Sequence, residues 1–414
     1  MDRRILKNVA SLFSIKVAGY LVPLISLPYL VRVLEPTGYG YLGYCLAINQ
    51  YFILIVSYGF DLSATQKISK VRDERLKVSR IFWNVLGIRF VASLIGLGIL
   101  CIATALIHSI DSLSLILFCC YTSVFGAALF PQWLFQGKEQ LGLISAARII
   151  FQIISLPLLL IFVNEPKDVW RAGLIQSLPA LLISFVAFYI VVKRKWIIWV
   201  APDMRSMWKE LKDGWHIFIS TAAISLYTSS VAVFLGALSG PVSVGYFVAA
   251  NKLIQAANGI YTPISHAYYP RISFELTKNN VEGLRLITQL IKILSFITFC
   301  IGVGLFIFAE PVIGLLFGAE YVNSVLLVKI MSVLPILTSL SNIFGVQTLL
   351  TFGFKAEFSR VLIFSGGFSL FLIWPLIYLF NEIGASLSVV FTELLVTILM
   401  FVVVLRKKIN IFQR

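Results

Sequence analysis

The chain has 414 residues, of which 59% are hydrophobic and only 13% charged, and its formal net charge is +15. Soluble domains average about 25% charged residues, so this composition excludes a single aqueous core and marks a polytopic membrane protein. Basic residues gather on the cytoplasmic side of membrane spans, so the excess charge indicates topology rather than nucleic acid.

Met1-Asp2-Arg3-Arg4 runs into a long apolar stretch with no small-residue cleavage site, and the first span is expected to stay as an anchor. Runs of about 20 apolar residues match a hydrocarbon layer about 30 Å thick. Twelve are predicted, over 7–33, 39–62, 81–107, 113–133, 143–163, 170–192, 214–236, 244–266, 286–309, 324–350, 361–380 and 385–405. With both termini inside, 25 cations fall in the inner segments, while Arg32, Lys167 and Arg171 alone lie outside. That bias fixes the expected orientation. The outer loops are short, which leaves no room for an extracytoplasmic domain.

The longest inner connection separates two sets of six spans. The predicted organisation is therefore an N-terminal lobe over 1–195, a linker over 196–213 and a C-terminal lobe over 214–414 with a short basic tail. The linker carries Trp196, Trp199 and Trp208, with Trp215 just beyond, and a basic amphipathic stretch over 204–212. Such a composition suits the headgroup region of a membrane. The five cysteines, Cys45, Cys101, Cys119, Cys120 and Cys300, all fall in apolar spans without metal-ligand spacing and read as small buried hydrophobes.

The two halves echo one another. Pro36-x-x-x-Gly40-Tyr41 opens the second span and Pro241-x-x-x-Gly245-Tyr246 opens the eighth; Gln50 answers Gln255, Lys67-Ile68-Ser69 answers Arg271-Ile272-Ser273, and Arg89 answers Lys292. Six spans per half is an even number, so the repeats run parallel and are related by an axis along the membrane normal. Two such lobes facing a central cavity form an alternating-access architecture.

Six cations, Lys16, Arg89, Arg148, Lys252, Lys292 and Lys329, lie inside predicted spans against one acid, Glu393. A charge at the bilayer centre costs roughly 2.5–3.5 kcal/mol on insertion scales, so these groups must reach an interface or line a hydrated cavity. A cavity with that bias suits an anion. Lys16 and Lys252 sit about 12–14 Å deep at 1.5 Å per residue, too far to snorkel easily. Arg148 and Lys329 lie nearer a span end, and Arg89 and Lys292, about two turns in, are within reach of headgroups. The candidate substrate contacts are Lys16, Lys252, Arg148, Lys329 and Arg89. On the eighth span Asn251, Lys252, Gln255, Asn258, Thr262 and His266 share one face, a polar lining expected to meet water. Asn8, Ser11, Lys16, Gly19 and Pro23 form a similar face on the first. Glu393 is read as a partner for an interior cation or a proton carrier, and Asp61 as a cap or part of an inner gate. Both are candidates for ion coupling.

The three histidines, His108, His216 and His266, are too scattered for a metal site or a triad. Gly38-x-Gly40-x-x-Gly43 matches a dinucleotide fingerprint but follows no strand, so its glycines are expected to serve a turn and close helix packing. No paired catalytic carboxylates or other catalytic motif appears. Neither a cofactor nor a metal nor a nucleic-acid partner is expected.

Pro28-Tyr29-Leu30-Val31-Arg32-Val33-Leu34-Glu35-Pro36-Thr37-Gly38-Tyr39-Gly40 resembles the first loop of Wzx-type O-antigen flippases. Gly59-Phe60-Asp61-Leu62-Ser63-Ala64-Thr65, with Lys67-Ile68-Ser69, and Pro131-Gln132-Trp133-Leu134-Phe135-Gln136-Gly137 resemble two further segments of that family. Position 35 is Glu where the family often has Gly. The resemblance implies a polysaccharide transporter of the MOP exporter superfamily, all-α, with two six-helix lobes. Such a protein moves an oligosaccharide linked to undecaprenyl diphosphate across the bacterial inner membrane, with both termini cytoplasmic. It also implies membrane lipids, an O-antigen polymerase and a chain-length regulator as partners, and H+ or Na+ as a coupling ion. A multidrug or small-solute antiporter of the same superfamily is the alternative, but it would bury acids to attract organic cations. A membrane-embedded glycan polymerase or acyltransferase would need convergent catalytic side chains.

Overall fold

Backbone amides in lipid have no water to satisfy them, so an apolar segment must bond within itself, as a helix does. The computed structural model describes residues 3–106, 111–140, 142–278 and 280–409, with side chains from Ile25 onward except at 111–112, 216, 220, 224, 226–227, 277–278 and 280. The described residues contain no β-strand. The first half comprises α1 (Arg3–Ser57), α2 (Phe60–Lys70), α3 (Arg75–Leu106), α4 (Asp111–Leu129), α5 (Gln132–Gly137), α6 (Gly142–Phe162) and α7 (Val169–Lys193). The second comprises α8 (Met204–Lys278), α9 (Asn280–Ile307), α10 (Ala309–Leu316), α11 (Val322–Met331), α12 (Leu334–Asn342) continuing as a π-helix over Ile343–Leu350, and α13 (Lys355–Arg406).

Among the described residues eight helices are long and apolar enough to cross a membrane, or nine if the bent pair Ala319–Met331 and Leu334–Leu350 counts as one span. Several of the twelve predicted segments follow one another within a single long element. Three elements run through a span boundary and are broken there by one residue with non-helical dihedrals: α1 at Glu35, α8 at Gly240 and α13 at Asn381. Exposed apolar side chains recur at helical spacing, as with Ile95, Ile99, Ile102 and Leu106 on α3. A stripe of that kind meets lipid rather than water.

The first two breaks carry the repeat. Glu35 has φ 57° and ψ 173°, and Gly240 has φ 82° and ψ 178°, a region occupied almost only by glycine. A proline follows each break at the first helical position, where its fixed φ suits the turn and its missing amide costs nothing. One turn later the glycines make a reciprocal contact. A Cβ on Gly40 would collide with the Pro241 carbonyl, and one on Gly245 would collide with that of Pro36. The second and eighth helices thus start against each other with backbone touching backbone, the close packing expected of the Gly38-x-Gly40-x-x-Gly43 string. The third break is tied to the second, because Ser239 Oγ donates to Asn381 Oδ1 at 3.0 Å and Ser243 Oγ to Glu382 Oε2 at 2.7 Å.

The chain divides into two compact units, one of Met1–Leu34 with Tyr41–Ser225, the other of Glu35–Gly40 with Leu226–Arg414. The expected linker, 196–213, belongs to the first. It is fastened along α3: Arg75 donates to the Ile197 carbonyl at 2.8 Å, Trp83 Nε1 to that of Ile198 at 2.9 Å, and Ser79 and Asn84 accept from the Ile198 and Asp203 amides. The core of the first unit forms around Phe60, Ile68, Phe82, Trp133, Phe135 and Ile183. In the second, Ile272, Ile287, Leu290, Phe344 and Met400 occupy the centre. Ile68 and Ile272, the middle residues of the paired repeat tripeptides, are both fully buried. The cysteines depart from expectation: Cys45 and Cys120 are buried, but Cys101 and Cys300 are exposed, and all five are free. Small side chains on the outward stripe of a span meet lipid rather than the protein interior.

Replacing Glu35 by Gly should remove the strain of a side chain in a glycine-only conformation, worth about 1–3 kcal/mol. We expect Glu35→Gly to raise the thermal midpoint of the purified protein. Gly240→Ala, whose Cβ would meet nothing within 4 Å, should lower it through the backbone alone. Equal midpoints for all three proteins would show that neither position is strained.

Candidate functional site

Arg148 lies about two turns into α6, and Gln152, Ser155 and Leu159 follow it at spacings of four, seven and eleven residues, which is one face of a helix. Those side chains line a cavity of about 190 Å3, closed opposite by Gln176, Pro179, Ala180 and Ile183 of α7 and by Ser26 of α1. A second cavity, of about 230 Å3, shares Arg148, Ala180 and Ile183 and adds Ser57, Asp61, Arg89, Ser123 and Gln132. Arg148 itself is exposed, and no ion pair among the described residues involves it. A guanidinium has a planar fork of donors that matches phosphate geometry, and around Arg148 that fork is bordered by the amides and hydroxyls of Gln152, Ser155 and Gln176.

Arg89 borders the second cavity in a different state. It is only 2% exposed, so the headgroup contact read from its position does not occur. Its guanidinium donates to Asp61 Oδ1 at 3.1 Å and to the carbonyls of Val56 and Phe130, each at 3.2 Å. It also lies 4.4 Å over the Trp133 ring. Four partners hold it, drawn from α1, α2, the end of α4 and α5. Asp61 is thereby the counter-ion of Arg89 rather than a helix cap.

The second unit divides the polar face of the eighth span. Lys252, Gln255 and His266 are exposed, and Lys252 Nζ lies 3.5 Å from Gln255 Oε1, a weak contact at best. Asn251, Asn258 and Thr262 are half-buried. Asn258 accepts from Thr338 at 3.3 Å and the Thr262 hydroxyl bonds back to its carbonyl, so part of the expected lining faces α12. Further along, Ser265 donates to Asn342 at 2.6 Å and Gln347 donates to Ser265 at 2.9 Å. Glu393 does not pair with a cation among the described residues; Ser341 Oγ donates to its Oε1 at 2.6 Å. Lys329 is half-buried beside the bend between α11 and α12. Lys292 is exposed. Lys16 lies on α1, but its side chain, like those of Asn8, Ser11 and Pro23, is outside the described residues. His108 and the side chain of His216 are outside them too. No group of three His, Cys, Asp or Glu suited to a metal occurs among the described residues.

Residues 5–274 match the polysaccharide biosynthesis protein family. The chain belongs to that family. A protein of Escherichia coli (strain K12) named "Putative O-antigen transporter" is 41% identical over 403 residues, 97% of each chain. A protein of the same name from Shigella dysenteriae is 30% identical over 402 residues, covering 95% of this chain and 98% of its own. Among solved structures, an inward-facing multidrug resistance MATE family transporter of the MOP superfamily aligns with TM-score 0.70 at 15% identity, covering 94% and 98% of the two chains. The lipid II flippase MurJ in an inward closed conformation aligns with TM-score 0.71 at 13% identity, covering 95% and 87%. The fold is therefore that of the MOP exporters, and the resemblance to O-antigen flippases drawn from the loop motifs holds.

The family motifs have a structural task. Gly59 to Thr65 forms the start of α2, and Pro131 to Gly137 forms α5. These pack together with Phe60, Trp133 and Phe135 fully buried. They supply Asp61 and Trp133 to Arg89 and so make the floor of the cavity that Arg148 borders. The site residues missed in the sequence are Gln152, Ser155 and Gln176. The first two were legible as a stripe with Arg148, whereas Gln176 needs the packing of α7 to find it.

Deleting one partner of a buried ion pair costs about 3–5 kcal/mol, and the partial solvation of Asp61 places this pair at the low end. Arg89→Ala should therefore lower the amount of folded protein recovered from membranes several-fold. Arg148→Gln, which strips no partner, should leave yield and thermal midpoint unchanged. If both variants fold equally well, the distinction between the two arginines is lost.

Proposed function

We propose that the chain is a flippase that moves undecaprenyl-diphosphate-linked O-antigen repeat units from the cytoplasmic to the periplasmic leaflet of the bacterial inner membrane, for lipopolysaccharide O-antigen biosynthesis. The observation that carries this reading is Arg148, a cation in no ion pair among the described residues, beside the amides and hydroxyls of a cavity. A diphosphate diester bears two negative charges and must exchange hydration for equivalent donors on leaving water. Arg148 supplies them, and the glutamines and serines beside it suit the hydroxyls of sugars. Lys252, Lys16 and Lys329 are further contacts in this reading. Transport of a lipid-linked saccharide also accords with the names of the relatives, which are transporters and not enzymes.

The likeness to multidrug transporters concerns fold alone. Extrusion of organic cations would call for an unpaired acid in the cavity. Asp61, which lines the second cavity, is engaged by Arg89, and Arg148 is in no ion pair among the described residues.

Arg148→Gln and Lys252→Gln, at wild-type abundance, should each cut surface O-antigen at least about tenfold, the loss of one charge-assisted contact, and leave lipid-linked repeat units facing the cytoplasm. Undiminished export by Arg148→Gln would overturn the assignment of the site. Loss of chain length without accumulation of that intermediate would point to a polymerase.

Of the two candidate coupling residues, Asp61 is committed to Arg89 and Glu393 meets a hydroxyl only. Glu393 is thus the carboxylate free to exchange a proton or Na+. Glu393→Gln should keep the Ser341 contact while abolishing any dependence of transport on an imposed proton or Na+ gradient; gradient dependence that persists would remove Glu393 from the mechanism.

A further inference from the structure

The linker helix at the start of α8 is amphipathic in an inverted sense. Asp203 caps it, accepting from the Ser206 amide at 2.9 Å and the Ser206 hydroxyl at 2.7 Å, and those bonds hold its carboxyl below the usual range. Met207, Glu210, Leu211 and Gly214 turn inward at spacings of three and four, and Glu210 is only 7% exposed. Met204, Arg205, Trp208, Lys209 and Lys212 turn outward, with Trp208 71% exposed. A helix facing water would hide the indole and show the carboxylate. Here the acid is inside and is neutralised by Lys67 of α2, whose Nζ lies 2.7 Å from Glu210 Oε2 and 2.7 Å from Asp213 Oδ2. The outward face keeps three cations, none in an ion pair among the described residues. Beside it lies a cavity of about 840 Å3 walled by Tyr58, Trp208, Leu211, Lys212, Asp213 and Trp215.

We propose that this face is a binding site for anionic phospholipid, independent of the substrate assigned above. Indole rings and long basic side chains together match the boundary between headgroups and acyl chains, where Trp concentrates and Lys or Arg meets phosphate. The aromatic cavity beside Lys212 has room for a headgroup. The linker is held on α3 by the bonds from Arg75, Ser79, Trp83 and Asn84, so the helix is presented in a fixed orientation rather than on a loose tether. Its inner face grips Lys67, and lipid bound outside is thereby linked to the end of α2, the helix that carries Asp61.

Hydrogen exchange at residues 204–212 of the full-length protein, in nanodiscs of phosphatidylcholine with or without phosphatidylglycerol, tests the site. Phosphatidylglycerol should slow exchange there by about tenfold. The triple variant Arg205→Gln, Lys209→Gln, Lys212→Gln, altered only on the outward face, should lose that effect and keep the wild-type rate in pure phosphatidylcholine. Equal exchange in both lipids, or slowing that survives in the triple variant, overturns the proposal. Inorganic phosphate reproducing the effect in phosphatidylcholine would make this a free-anion site and overturn it as well. So would protection confined to native membrane vesicles, which would assign the face to a protein partner.

Discussion

A guanidinium in an apolar interior needs a counter-charge and acceptors, and the first unit is arranged around supplying them to Arg89. Asp61 supplies the charge, Val56 and Phe130 the carbonyls, and Trp133 the ring face. These partners come from the end of α1, the starts of α2 and α5 and the residue that follows α4, so with α3, which carries Arg89, five elements share one polar knot. The residues most diagnostic of the family, Gly59-Phe60-Asp61 and Pro131-Gln132-Trp133, are the ones that tie it. Their role is to build a scaffold. Because Asp61 is engaged by Arg89, the cation lining the adjoining cavity that is in no ion pair among the described residues is Arg148.

Pattern alone revealed much of this. The paired Pro-x-x-x-Gly strings located two of the three helix breaks and the repeat, because proline and glycine have few conformations to choose from. Arg148 was singled out as an in-span cation, but Gln152 and Ser155, on the same helical face, were overlooked. What pattern could not convey is the neighbour a face meets. Arg89 looked able to reach headgroups because its depth was readable and its enclosure was not. Glu393 looked like the mate of an interior cation, yet Ser341 on the tenth span is its partner, and that pairing depends on a bend of 41° between helix pieces. The apolar runs were legible, whereas the sharp breaks at Glu35 and Asn381 are set by dihedrals that no hydropathy profile contains.

The second unit handles polarity differently from the first. Ser265, Asn342 and Gln347 bond in sequence, Thr338 meets Asn258, and Ser339 meets Thr298. All of these are neutral groups, and several lie where the tenth span bends and turns into a π-helix. Widening of the helix frees backbone carbonyls, which nearby hydroxyls and amides then satisfy. A scaffold of neutral contacts can exchange partners at little electrostatic cost, while the ionic knot of the first unit cannot.

Asp61 and Arg89 lie 28 residues apart in the chain, on consecutive hydrophobic hairpin arms. Synthesis delivers the aspartate first and the arginine about one span later. An arginine entering lipid by itself would resist insertion, but beside a carboxylate already in place it enters as half of a neutral pair. The same bond that organises the finished molecule thus lowers the cost of placing its arginine in the bilayer.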